Sequence, residues 1–74
     1  MAVRIIPVGL LRASLPAGQL ELEAEGKTAG EVLAELGIEA DLVAMILING
    51  RQQPKETVLG AGDVVKLVPF VGGG

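Results

Sequence analysis

Asp63-Val64-Val65-Lys66-Leu67-Val68-Pro69-Phe70-Val71-Gly72-Gly73-Gly74 are the last twelve residues of the sequence, and they decide how the rest is read. Val64 to Val68 is β-branched and apolar apart from Lys66, and the turn Gly60-Ala61-Gly62-Asp63 opens it, so it reads as a buried strand. Pro69 weakens the ladder, and three glycines then carry the backbone away from the strand. Without a Cβ, such a tail passes a channel too narrow for side chains. Fixing it there costs about 1–2 kcal/mol per residue in backbone entropy. Most glycine runs are linkers or frayed ends. This one stands at the last residue and follows a strand directly, with no polar spacer, which favours a presented C-terminus. The expected division is a folded domain over 1–71 and a flexible glycine tail over 72–74.

With 74 residues there is room for one small core. Half the residues are apolar but Phe70 is the only aromatic, so Val, Leu, Ile and Ala must fill it. Cys and His are both absent. That removes disulfides, thiol nucleophiles, an imidazole base and the commonest zinc ligands, so no metal site is expected. A net charge of −3 with six scattered basic residues argues against a nucleic-acid surface. No stretch reaches membrane-spanning length, and the N-terminal apolar run, broken by Pro7 and Arg12, is a poor signal peptide. A cytoplasmic protein without membrane contact is expected.

Ala2 to Val8 predicts a first strand with Val3 and Ile5 on one face and Arg4, Ile6 and Val8 on the other. Pro7, unable to donate to a ladder, belongs near its end. Gly9 to Gly18 is a connection closed by the turn Pro16-Ala17-Gly18. Gln19 to Glu25 alternates Leu20, Leu22 and Ala24 with glutamates, predicting a half-buried antiparallel strand with a solvated acidic face. Thr28-Ala29-Gly30-Glu31 is a capping box, Ala29, Val32, Leu33 and Leu36 recur at helical spacing, and Gly37 with Ile38 supplies the C-terminal stop. Leu42 to Ile48 predicts a strand buried on both faces, or one whose outer face serves an interface. Asn49-Gly50 signals a type I′ hairpin, Arg51 to Gln53 the short return strand, and Pro54 its blunted edge. Lys55 to Leu59 then crosses back, with Val58 and Leu59 as expected anchors.

The order is ββαββ plus a last strand reached by a crossover. A helix of two to three turns covers one face of a sheet, so both hairpins must share that sheet. The first and last strands then lie parallel at its centre. This predicts an α+β, β-grasp fold: a mixed sheet of four to five strands with one main helix on one face.

The ending from Gly62 to Gly74 resembles the C-terminus of the ThiS/MoaD family of ubiquitin-like sulfur carriers. The hairpin Ile48-Asn49-Gly50 and the capped helix Thr28 to Gly37 fall where that family has them. The likeness covers most of the chain from Thr28 onward. Phe70 to Gly74 is similar to the thiamine-pathway carriers, whereas Val3 to Arg12 is similar to the small subunit of molybdopterin synthase. The pathway stays open between them.

The resemblance implies a carrier and not an enzyme. Its Gly74 carboxylate would be activated as an acyl-adenylate by an E1-like ATP-using adenylyltransferase, with ATP used by that enzyme and no cofactor held permanently. A sulfur donor would then replace the AMP, leaving a thiocarboxylate for a thiazole synthase or the molybdopterin synthase large subunit. Gly73 would clear the enzyme's channel beside Gly74, and Gly72 would add reach. If Lys66 faces solvent, Val64, Val68 and Phe70 share the outer face by parity while Val65 and Leu67 face the helix. By likeness to ubiquitin-like hairpins, Met45 and Leu47 join that outer face. Leu47, Val68, Phe70, Val71 and Gly72 are therefore the expected partner contacts. Two other functions fit the same residues: a protein modifier joined through Gly74 to lysines, and a non-covalent β-grasp binding module.

Overall fold

The computed structural model describes residues 2–14 and 18–70. Val71 at the end of the expected domain, the expected glycine tail 72–74, and Leu15 to Ala17 of the first connection lie outside the described residues. The strands are β1 (Val3–Pro7), β2 (Leu20–Leu22), β3 (Val43–Ile48), β4 (Arg51–Gln53) and β5 (Val64–Pro69), with one α-helix, α1 (Ala29–Glu35). They form one five-stranded sheet in the order β2-β1-β5-β3-β4. β5 is central, parallel to β1 and antiparallel to β3. This is the β-grasp arrangement expected from the sequence.

Helix α1 forms where its caps dictate. The Thr28 hydroxyl accepts from the Glu31 amide at 3.1 Å, and the Glu31 carboxylate accepts from the Thr28 amide at 2.8 Å. That backbone hydrogen bond, helped by the Thr28 side chain and the nearby Lys27 charge, holds the Glu31 carboxyl below its ordinary pKa. At the other end the Ile38 amide donates to Leu33 and the Gly37 amide to Ala34, and Gly37 has φ +74°. These are the two bonds of a Schellman stop, with glycine in the left-handed position. The crossing segment 55–59 satisfies further amides: Ala29 donates to the Thr57 carbonyl and Gly30 to that of Lys55.

The inner face of the sheet and the helix make one core. Val3 and Ile5 of β1, Ile46 and Ile48 of β3, and Val65 and Leu67 of β5 meet Ala29, Val32 and Leu33, with Leu36 packed against them. Leu11, Ala24, Ile38 and Leu59 close it around the sides.

Both prolines in the central pair cost no hydrogen bond. The Arg4 and Val8 amides donate towards β5, so alternation turns the amide positions of Val3, Ile5 and Pro7 towards β2. β2 begins at Leu20, opposite Ile5, and nothing of β2 stands opposite Pro7. Pro69 likewise ends β5 beyond the last residue of β1, which pairs Pro7 with Leu67.

Several sequence expectations need correction. The connection after β1 is a 3₁₀ segment over Gly9–Ser14, which buries Leu11 and leaves Leu10 exposed. β2 is three residues long, because β1 offers it only Val3 to Ile5 as partners. Leu42 lies in a 3₁₀ turn, Ala40–Leu42, and is exposed, so β3 starts at Val43. Val58 is no anchor. It forms an isolated bridge with Thr28 through the backbone while the residue is 60% exposed, and Leu59 alone is buried there.

Candidate partner-docking face

Among the described residues the helix covers one face of the sheet and leaves the other uncovered, and the register assigns every β5 side chain to its side. Lys66 is exposed and lies between Ile6 of β1 and Leu47 of β3, while Val65 and Leu67, on the opposite parity, are 1% exposed. The outer face therefore carries Val64, Lys66 and Val68 from β5, and Met45 and Leu47 from β3, with Met45 opposite Val68. Met45, Leu47, Val64 and Val68 are all half-buried. A bulge between Val43 and Met45 sets two residues of β3 against one of β5. It allows Val43 to pack against the core while Met45 stays outward.

Phe70 follows β5 immediately and is 67% exposed. Large apolar side chains of this kind gathered on one face mark interaction surfaces. Of the expected contacts, Leu47 and Val68 lie on the outer face, Leu47 opposite Lys66 and Val68 opposite Met45, while Phe70 follows the last residue of β5. Val71, Gly72, Gly73 and Gly74 lie outside the described residues.

The face also includes residues the sequence reading left out of the patch. Ile6 is half-buried beside Lys66, and Val8, whose amide donates to the Leu67 carbonyl at 2.9 Å, is exposed near Val68. Their alternation with Val3 and Ile5 was visible, and pairing β1 to β5 was the step that would have added them. At the far edge Arg4 sits opposite Glu21 and pairs with it at 3.3 Å.

A side-chain network unforeseen from sequence fixes this register. Asn49, at φ +53°, donates from Nδ2 to Asp63 Oδ1 at 2.9 Å and accepts at Oδ1 from the Val64 amide at 3.0 Å. Asp63 Oδ2 accepts from the Gly60 amide at 2.8 Å. The hairpin tip and the turn before β5 are thereby clamped together.

Among the described residues no group of three or more His, Cys, Asp or Glu side chains converges as a metal site. No helix among them is long and apolar enough to cross a membrane.

The ThiS family model matches residues 8–74, most of the chain, including all of β5 and the glycine tail. The chain belongs to the ThiS family. Its fold is shared with SAMP1 of Haloferax volcanii, at 20% identity and TM-score 0.76 over the whole of both chains. A second Haloferax volcanii protein, solved in solution, is 24% identical with TM-score 0.73, covering this chain fully and 87% of the other. A chain in the complex of subunits 1 and 2 of the molybdopterin-converting factor from Helicobacter pylori is 26% identical, with TM-score 0.66 over both full lengths. No curated protein matches the sequence significantly. Members of that family are small carrier proteins and synthase subunits.

Proposed function

We propose that the chain carries sulfur on Gly74 as a C-terminal thiocarboxylate, after adenylation by an E1-like enzyme. The observation that carries this reading is the match of the family model through Gly74, shortly after a strand whose outer face sets Lys66 between Val64 and Val68. A carboxylate is a poor electrophile until its oxygen becomes part of a leaving group. ATP supplies that group: the carboxylate attacks the α-phosphate, pyrophosphate leaves, and an acyl-adenylate forms. A sulfur nucleophile then attacks the acyl carbon and AMP departs. Gly73 and Gly74 let the carboxylate reach the nucleotide without steric penalty, and Gly72 lengthens that reach. The chain has no cysteine to capture its own activated carbonyl.

Leu47, Val68 and Phe70 are the anchors on which the enzyme holds the body while Val71 and Gly72 lead into its channel. The same face then serves the acceptor, a thiazole synthase or a molybdopterin synthase large subunit. The second of these draws support from the two-subunit Helicobacter pylori complex.

Intact mass after incubation with the cognate adenylating enzyme, ATP and a sulfur source tests the reading. One carboxyl oxygen should be exchanged for sulfur, and deleting Gly74 should abolish the exchange without changing the fold. An adduct joining Gly74 to protein lysines, with no gain of sulfur, would establish a modifier instead. No adenylation by the cognate enzyme leaves a non-covalent binding module.

A further inference from the structure

Lys66 stands in the middle of the apolar outer face. Its four nearest neighbours there are Val64 and Val68 along β5, Ile6 across on β1 and Leu47 across on β3. All four are aliphatic and half-buried. Among the described residues the ion pairs are Arg4 with Glu21 and Lys27 with Glu35, and Lys66 takes part in neither. Arg4, diagonal to Lys66 across Val64, already has its carboxylate. The patch is thus locally cationic on a chain whose net charge is −3.

We propose that the adenylating enzyme presents a carboxylate to Lys66 inside an otherwise apolar contact. This rests on the function proposed above, and it names the chemistry of that enzyme's docking surface. A flat apolar surface laid over Ile6, Leu47 and Val68 removes water from the ammonium at their centre. Removing that water without a counter-charge is heavily penalised, and a paired carboxylate offsets the penalty. The aliphatic ring supplies area, whereas the ion pair fixes register, since a shifted docking leaves both charges buried and unpaired. Register matters here because the tail starts only a few residues from Lys66 and must enter the channel at a set depth. A second copy of the chain is a poor occupant, because it brings the same cation to this face.

The test follows ATP–pyrophosphate exchange by the cognate adenylating enzyme against carrier concentration, at low and high salt, using full-length variants. Lys66→Met should raise KM about tenfold or more with kcat unchanged, and Lys66→Glu about a hundredfold. Lys66→Arg should stay within about threefold of wild type. The wild-type KM should climb with salt more steeply than that of Lys66→Met, a difference that loss of folding does not produce. Melting temperatures should match, since the side chain is exposed. If Lys66→Met docks as well as wild type with the same salt slope, the ammonium reaches water at the rim and the proposed carboxylate is absent. Self-association of the wild type through this face would also overturn it. Both results leave the carrier reading standing. Wild type that supports no exchange removes the carrier reading, and this inference with it.

Discussion

Replacing Asn49 by Ala should cost this domain about 2–3 kcal/mol, a large share of a total near 4–11 kcal/mol for its length. The figure comes from three losses. The Asn49 amide gives up its bond to the Asp63 carboxylate, and the Val64 amide gives up its acceptor. Because Asn49 is exposed, each bond is taken near the low end, about 0.5–1 kcal/mol. The third loss is conformational: Asn49 has φ +53° and Gly50 φ +84°, as a type I′ turn requires, and alanine tolerates the left-handed region about 1 kcal/mol less well. Asn49→Gly separates the terms, because it removes the bonds without the strain and should cost about 1 kcal/mol less than Asn49→Ala. Urea unfolding followed by circular dichroism gives each value. Asp63→Ala combined with Asn49→Ala should show a coupling near 0.5–1 kcal/mol in a double-mutant cycle. A cost below about 0.5 kcal/mol for Asn49→Ala, or no coupling, would mean that the ladder alone sets the register. The point bears on function, since a one-residue slip of β5 would turn Val65 and Leu67 outward and take Lys66 into the core.

Three further outcomes are expected. Leu33→Ala, at a position 2% exposed between helix and sheet, should lose about 2–5 kcal/mol in denaturant unfolding and leave little of the fold at physiological temperature. Phe70→Ala should weaken binding to the adenylating enzyme by about 1–3 kcal/mol in titration calorimetry, while melting shifts by less than about 0.5 kcal/mol; equal losses in both would make Phe70 a core residue. Glu31 contributes stability above its ordinary carboxylate pKa, and that contribution fades as pH falls through its lowered folded-state value. Glu31→Gln should therefore narrow the stability gap to wild type as acid is added, and a gap constant with pH would refute the capping role of the charge.

What could be read from the sequence was local chemistry, and what escaped it was pairing. Thr28, Glu31 and Gly37 each meet their partners within a few residues, so the helix ends were legible. The Asn49-Gly50 hairpin and the outward Lys66 were legible for the same reason, as a turn code and an alternation. The exposure of Val58 was not, because nothing in Val58-Leu59 tells which of two aliphatic neighbours turns inward when the segment is stitched to residues 26–30 by its backbone. Nor was the contact of Asn49 with Asp63, fourteen residues apart.

Pro7 and Pro69 show the limit most clearly. Each conflicts with a strand when read alone, since a proline in a central ladder forfeits a hydrogen bond. The forfeit depends on what the missing N–H would face, and only topology says that β2 has not begun beside Pro7 and that β1 has ended beside Pro69. Beyond them the chain leaves the ladder at one end of the sheet, and a Cβ built on Gly9 would sit 3.2 Å from Pro69 Cγ. Gly9 has φ +60°, so this tight crossing selects glycine twice over, for its backbone and for its missing side chain. The two prolines thus end the parallel pair just before Phe70, and a feature that weakened the strand assignment in sequence marks, in the fold, the end of the ladder.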